Sequence, residues 1–302
     1  VIAYGTDIRR AFGHTGTVPA PSSHGLTAHD QTVVDPDDPR LNDYRCLRPV
    51  GGTRRRERDE PTVIIEGHLA LSRAVQGSLR LRSVIMTPQR ARSLTGLRAD
   101  IPAAVPLYVA ERQVLTEVTG FDVHRGVLAS AERPTATDPA GLLSRHRRTV
   151  LLEGLTDLEN VGATFRVAAA LDIGAVLLDD SCADPLYRRC VRVSLGWSTV
   201  VPHARFSSTA AGLAAGRALG VRSVALIPAP NAVPVDRAAI EGMLDDPLIL
   251  LVGSEGSGLA PSTIDAADHR VSIPMADGVD SLNAATALAV VASFAAAARG
   301  WN

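Results

Sequence analysis

Apolar positions are sparse and irregular over residues 1–60, then fall into two alternating patterns from Thr62 onward. Short unbroken runs, TVIIE (62–66), SVIMT (83–87), VPLYVA (105–110) and RGVLASA (125–131), read as buried strands. Between them HLALSRAVQ (68–76) and stretches near 88–97 and 111–119 carry apolar residues at helical spacing. This predicts an α/β unit ending near Ala131. The following ERPTATDPAG reads as a linker, or as the cap of a connecting helix over 138–146.

A second alternation begins at Thr149. TVLLEG (149–154), GAVLLDD (174–180), STVVPH (198–203), RSVALIP (222–228), LILLVG (248–253) and HRVSIP (269–274) read as strands. Helices are expected at Val161–Leu171, Leu186–Leu195, Ala210–Leu219 and Ala284–Arg299. Strands alternating with helices predict a parallel sheet covered on both faces, with ligands beyond the carboxyl ends of the strands. The chain thus divides into a flexible leader (1–60), a small α/β domain (61–133), a linker (134–148) and a larger α/β domain (149–302).

Composition narrows the function classes. Three cysteines, Cys46, Cys182 and Cys190, without CxxC spacing, give neither a disulfide framework nor a zinc site, and no metal is expected. No apolar stretch reaches the roughly 18 residues of a membrane span, and the opening VIAYGTDIRRAFGHTG lacks the apolar run of a secretory signal. The expectation is a soluble cytoplasmic protein that does not engage a membrane. All 31 basic residues are Arg, and the net charge of −1 hides an asymmetry. Residues 1–150 hold 21 Arg against 16 acidic residues, and 151–302 hold 10 against 16, so the first part suits a polyanion. The run Arg54, Arg55, Arg56, Arg58 reads as a solvated segment, or as phosphate contacts if it lies beside a nucleic-acid site.

Three segments carry candidate chemistry. In Glu159-Asn160-Val161-Gly162-Ala163-Thr164-Phe165-Arg166, Asn160 can cap a helix, which would place Arg166 less than two turns from its start. Gly253-Ser254-Glu255-Gly256-Ser257-Gly258-Leu259 directly follows a strand and suits a tight turn whose backbone faces a ligand. It is neither a P-loop, which needs a Lys, nor GxGxxG. Ile273-Pro274-Met275 precedes Asp280-Ser281-Leu282-Asn283, where Ser281 or Asn283 can cap a final helix apolar around its whole circumference. Taken singly, each segment also fits an ordinary helix start or glycine turn.

Together and in this order, NVGATFR, GSEGSGL and IPM…SLNAATA resemble the three motifs of the SpoU (TrmH-like) branch of the SPOUT RNA methyltransferases. The spacer SCADPLYRRCVRVSLGW is similar to that family's Pro…Arg-x-Ser-x-Gly stretch, and residues 61–133 resemble its L30e-like RNA substrate-binding domain. DPDDPRLNDYRCLR resembles leaders of actinobacterial members. The resemblance implies an α/β fold whose C-terminal parallel-sheet domain contains a trefoil knot. It also implies S-adenosylmethionine as donor, a ribose 2′-hydroxyl of structured RNA as acceptor, and a homodimer. Gly253, Ser254, Gly256, Gly258, Ile273, Pro274, Met275 and Leu282 would then hold the cofactor. Arg166 would grip a phosphate and stabilise alkoxide charge, because a guanidinium stays protonated, with Asn160, Glu255, Ser281 and Asn283 positioning it and the ribose.

Where the family often has Asp-Pro before the motif Asn, Leu158-Glu159 stands here, and Cys190 and Trp197 also depart from the usual spacer. Ribosomal RNA of the 23S type is the expected substrate, since an additional N-terminal domain suits two-point recognition of folded RNA. A tRNA 2′-O-methyltransferase and a non-catalytic RNA-binding or ribosome-assembly protein on the same fold are the alternatives. Intact Arg166, Glu255, Ser281 and Asn283 argue against the latter, and the missing GxGxxG against a nucleotide-dependent oxidoreductase.

Overall fold

The computed structural model describes residues 30–45, 47, 61–77 and 79–297. These fall into two units: residues up to Pro134 together with Leu186–Val200, and Thr135–Pro185 together with the chain from Val201. Among them no helix is long and apolar enough to cross a membrane.

The first unit is built on β1 (Asp30–Thr32), β2 (Thr62–Glu66), β3 (Leu81–Met86), β4 (Leu107–Val109) and β5 (Val127–Glu132). They form one sheet in the order β1-β4-β3-β5-β2, with β5 antiparallel to both neighbours. Its helices are α1 (His68–Gln76), α2 (Pro88–Ser93), α3 (Thr95–Asp100) and α4 (Arg112–Thr119). Both sheet faces are covered, which is why its strands read as unbroken apolar runs. Val63, Ile65, Val84, Met86 and Val127 pack on one side with Leu71 and Ala74 of α1. Ile64, Ile85, Tyr108 and Leu128 pack on the other with Leu115 and Val118 of α4.

The expected flexible leader needs correction over Asp30–Arg45. Asp30–Thr32 pairs with β4, and the Asp30 carboxylate forms a buried ion pair with Arg98. Leu41 and Tyr44, in a 3-10 turn over Pro39–Tyr44, are fully buried in the second face's core. The Tyr44 hydroxyl lies 2.7 Å from Ser83 Oγ, and burial pushes its pKa up. A low density of apolar residues concealed a segment whose few large side chains complete someone else's core. Residues 1–29, Cys46 and 48–60, including the Arg54–Arg58 run, lie outside the described residues.

In the second unit the expected linker contains α5 (Pro139–Arg145), capped by Asp138, and leads into β6 (Arg148–Leu152). Then follow α6 (Leu158–Ala170) and β7 (Ala175–Leu178). The intervening Leu186–Val200 segment, with α7 (Arg188–Val193), clusters with the first unit. There Leu186 and Val191 join the apolar core, and Arg188 and Arg192 meet the buried Glu66 at 2.9 and 3.1 Å. Cys190 is buried, while the guanidinium of Arg73 sits 4.5 Å over the Trp197 ring and donates to the Leu195 carbonyl. The second unit resumes with β8 (His203–Arg205), α8 (Thr209–Ala218), β9 (Arg222–Leu226), β10 (Val233–Pro234) and α9 (Val235–Ile240). It ends with β11 (Leu248–Val252), α10 (Pro261–Ala266), β12 (His269–Ser272) and α11 (Ala284–Ala297).

The seven strands form a wholly parallel sheet, β10-β12-β9-β11-β6-β7-β8. Leu151, Leu177, Ile249 and Leu251 face Leu142, Leu143 and Leu213 on one side, and α6 packs against α11. The chain winds outward from β6 to β8 and returns to insert β11 between β6 and β9. That arrangement brings loops after β9, β11 and β12 together at one edge, as expected of ligand sites in such sheets.

Candidate active site

β11 delivers Gly253 to the carboxyl edge of the sheet, where the chain turns sharply and Ser254 pairs back with Gly258. The Gly258 amide donates to the Ser254 carbonyl at 3.0 Å, and the Ser254 and Ser257 hydroxyls are 2.8 Å apart. A Cβ on Gly253 would fall on the backbone of Gly258 and Leu259, so this crossing admits only glycine.

The turn forms one wall of a cavity of about 460 Å³, within the ~300–1,000 Å³ range of small-molecule sites. Leu226 to Ala229 at the end of β9, Ile273 and Met275 after β12, and Asp280 to Leu282 before α11 form further walls. Of the residues expected to hold a cofactor, Gly253, Ser254, Gly256, Gly258, Ile273, Met275 and Leu282 line it; Pro274 is exposed and does not. The described lining contains aliphatic side chains, backbone amides and carbonyls, serines, and the carboxylates of Glu255 and Asp280, but no basic residue. That set suits a ligand with apolar surface, hydrogen-bonding edges and positive charge, and offers no cation for a phosphate.

Glu255 connects the cavity to α6. The Asn283 side-chain amide donates to Glu255 Oε1 at 2.9 Å and to Asn160 Oδ1 at 2.6 Å, using both of its hydrogens. Asn283 Oδ1 accepts the backbone amides of Ala285 and Thr286 at 3.1 and 3.2 Å, so the same residue caps α11. Asn283, rather than Ser281, is therefore the helix cap. Ser281 lines the cavity but forms no hydrogen bond with another described residue.

Two expectations for α6 change. Its cap is Asp157, whose Oδ1 accepts the amides of Glu159 and Asn160 at 2.7 and 3.0 Å, and the helix starts at Leu158. Asn160 is thus freed to point its buried side chain at Asn283. Arg166 consequently lies more than two turns in. At 1.5 Å and 100° per residue it is roughly 9 Å along the axis from Asn160 and on another face. It is exposed, and its side chain makes no hydrogen bond or ion pair with any described residue, so Asn160, Glu255, Ser281 and Asn283 do not hold it directly.

Glu153, which lies outside the three motif segments, braces the far end of the glycine turn. Its Oε1 accepts from Thr263 Oγ1 at 3.1 Å, on α10 just beyond the turn, while its Oε2 is buried without a partner. Burial raises its pKa despite the Thr263 bond. Cys182 lies nearby in the chain fold, its thiol pushed up to about 12 by burial and the neighbouring Asp179. Among the described residues no cluster of His, Cys, Asp or Glu is arranged to hold a metal ion.

Comparison with known proteins gives this geometry a family. Residues 147–293 match the model of the SpoU rRNA Methylase family. A protein of Mycobacterium tuberculosis described as an uncharacterized tRNA/rRNA methyltransferase is 40% identical over 264 residues, spanning 86% of this chain and 89% of that protein. The 23S rRNA (guanosine-2′-O-)-methyltransferase RlmB of Ralstonia nicotianae is 33% identical over 200 residues, 64% of this chain and 78% of the relative. Among solved structures, the AdoMet-bound rRNA methyltransferase of Sinorhizobium meliloti superposes with a TM-score of 0.72 at 22% identity, covering 89% of this chain and 98% of that one. The SpoU methyltransferase AviRb of Streptomyces viridochromogenes, in complex with AdoMet, gives 0.70 at 25% identity, covering 88% and 100%. The chain belongs to the SpoU family of RNA methyltransferases.

Proposed function

We propose that this protein transfers a methyl group from S-adenosylmethionine to a ribose 2′-hydroxyl of structured ribosomal RNA. The observation that carries this reading is the Glu255–Asn283–Asn160 chain, which ties the wall of a cation-tolerant cavity to the helix bearing Arg166. The similarity to an enzyme named for guanosine 2′-O-methylation of 23S rRNA supports the acceptor.

Bound S-adenosylmethionine supplies an electrophilic methyl on a sulfonium, with a neutral thioether as leaving group. The backbone of Gly253–Gly258, Ile273–Met275 and Leu282 would hold it, with apolar side chains such as Leu226 and Ile273 against its apolar surface. Glu255 and Asp280 put negative charge in the cavity lining, favourable to the sulfonium. Alignment of hydroxyl, methyl and sulfur provides much of the acceleration. Guanidinium groups stay protonated and make poor bases, so the role of Arg166 is to grip the phosphate beside the target ribose and stabilise negative charge growing on the 2′-oxygen as the hydroxyl proton passes to solvent water.

The working unit in this reading is a cytoplasmic homodimer. α11 is apolar around its circumference and exposes Phe294, which suits a second copy. Residues 61–133 would serve as the RNA substrate-binding domain.

The test is incubation with methyl-labelled S-adenosylmethionine and, separately, 23S rRNA and tRNA, followed by alkaline hydrolysis. Label in alkali-resistant dinucleotides from rRNA is expected, because a 2′-O-methyl blocks attack on the adjoining phosphate. Label in mononucleotides would make this a base methyltransferase, and label in tRNA alone would replace the substrate.

A further inference from the structure

We propose that Arg90, Arg125 and His68 form a docking site on the first unit for the phosphodiester backbone of RNA. This deepens the functional reading and rests on it for the identity of the polyanion. The site is assembled by the sheet itself. Glu66 at the end of β2 registers with Leu128, and Met86 at the end of β3 with Val127, so the three connectors beyond them share one edge. The Gly67 amide donates to the Val127 carbonyl at 3.1 Å, and the Thr87 amide to the Gly126 carbonyl at 2.9 Å. Arg90 Nε donates to the Arg125 carbonyl at 2.9 Å, bringing the two arginines together.

The Arg125 side chain lies across Gly67, where a Cβ would stand 2.8 Å from its Cδ and 3.1 Å from Nη1. Gly67, at φ +97°, therefore makes room for the guanidinium as well as for the turn into α1. His68 follows immediately, and its pKa is lowered by burial and then by the charges of Arg90 and Arg125. All three residues are partly exposed.

Like charges gathered this way repel unless a counter-charge is supplied. Neighbouring carboxylates do not supply it. Glu66 is engaged by Arg188 and Arg192, and Asp122 by Arg112 at 2.7 Å. Among the described residues neither Arg90 nor Arg125 has an acidic partner. The nine-residue α1 also starts here with no side-chain cap, so its first amides add to the same positive edge. Two guanidiniums and an imidazole on one edge match successive phosphates, and would set the position of the RNA without reading its bases.

The test measures binding of the 302-residue chain to deproteinised 23S rRNA, without cofactor, over a range of salt concentrations. Each phosphate contact contributes about 0.7–0.9 to the slope of log K against log salt. Arg90→Ala with Arg125→Ala should therefore lower that slope by about 1.5, with affinity falling about tenfold or more. Binding of S-adenosylmethionine, measured by calorimetry, should be unchanged. The double Lys variant should keep the wild-type slope. Arg125→Gln alone, which removes no side-chain hydrogen bond, should lose about half as much slope and guards against misfolding of the double variant. Unchanged slope and affinity in the alanine and glutamine variants would overturn the proposal. So would displacement of rRNA from this edge by polyglutamate of equal charge, which would assign it to an acidic protein. Wild-type binding to rRNA with methyl transfer to a different acceptor would leave this site standing while refuting the 2′-O reading. Absence of salt-dependent binding by the wild type would overturn both.

Discussion

The side-chain amide of Asn283 donates to Oδ1 of Asn160 at 2.6 Å across 123 positions of sequence, joining the start of the last helix to the first motif helix. The same nitrogen reaches Glu255, and the opposite oxygen caps α11. Asn283→Ala should lose both functions: about 1 kcal/mol for the cap and roughly 1–3 kcal/mol for the buried Asn160 oxygen left without a donor. Asn283→Asp keeps the cap but turns an acceptor toward Glu255 and Asn160. Methyl transfer should fall about 10- to 100-fold in both variants, while thermal melts show the Asp variant to be the more stable. An Asp variant with wild-type turnover would remove the network from the mechanism.

Gly253 crosses the backbone of Gly258 so closely that no side chain fits. Gly253→Ala should reshape the cavity wall and weaken S-adenosylmethionine binding by at least about tenfold, or some 1.4 kcal/mol, in calorimetry. At Gly256 an added Cβ meets nothing within 4 Å, so Gly256→Ala should fold with wild-type thermal stability. Equal cofactor affinity in Gly253→Ala and wild type would contradict the placement of the donor against this turn.

Arg166 is exposed and unbonded within the described chain, so its removal should leave stability within about 0.5 kcal/mol of wild type. Turnover on RNA should nevertheless fall about 100-fold or more in Arg166→Ala, as for loss of a charge-stabilising donor. Arg166→Lys should recover only part of it, because a point charge replaces the planar fork. Normal methylation by Arg166→Ala would exclude the arginine from catalysis.

How far the sequence could be read follows from which forces are local. LILLV and TVLL show themselves because strands covered on both faces need unbroken apolar runs, and the turn at Gly253 is announced by its glycines. The cap of α6 is ambiguous in sequence because Asp157 and Asn160 are both good caps; in the fold Asp157 caps while Asn160 bonds Asn283, far away in the chain. Leu41 and Tyr44 stand isolated among Pro and Asp, and their burial depends on a sheet formed by later residues. STVVPH looked like one strand, yet only His203–Arg205 pairs, while 197–199 forms a 3-10 turn grouped with the first unit. Glu153 gave no local signal, since its partner Thr263 lies 110 residues on.

Glu153 also gives a pH test. Burial raises its folded pKa above the ordinary carboxylate value of 4.5, so folding favours the protonated form. Its contribution to stability is full below that ordinary value and is lost as pH rises through the folded pKa. The isosteric, uncharged Glu153→Gln variant keeps an acceptor for Thr263 and escapes this loss. Its melting temperature should exceed that of wild type at pH 7.5, with the difference disappearing near pH 4. A variant less stable than wild type at pH 7.5 would show that the carboxylate charge is favourable there.

A crystal structure of the 302-residue chain with S-adenosylhomocysteine bound provides the most direct measurement. The thioether should lie in the cavity between the Gly253–Gly258 turn, Ile273 and Leu282, with the Glu255–Asn283–Asn160 hydrogen bonds intact. Electron density for the ligand anywhere else on the protein, with that cavity filled only by solvent, would contradict the assignment of the active site.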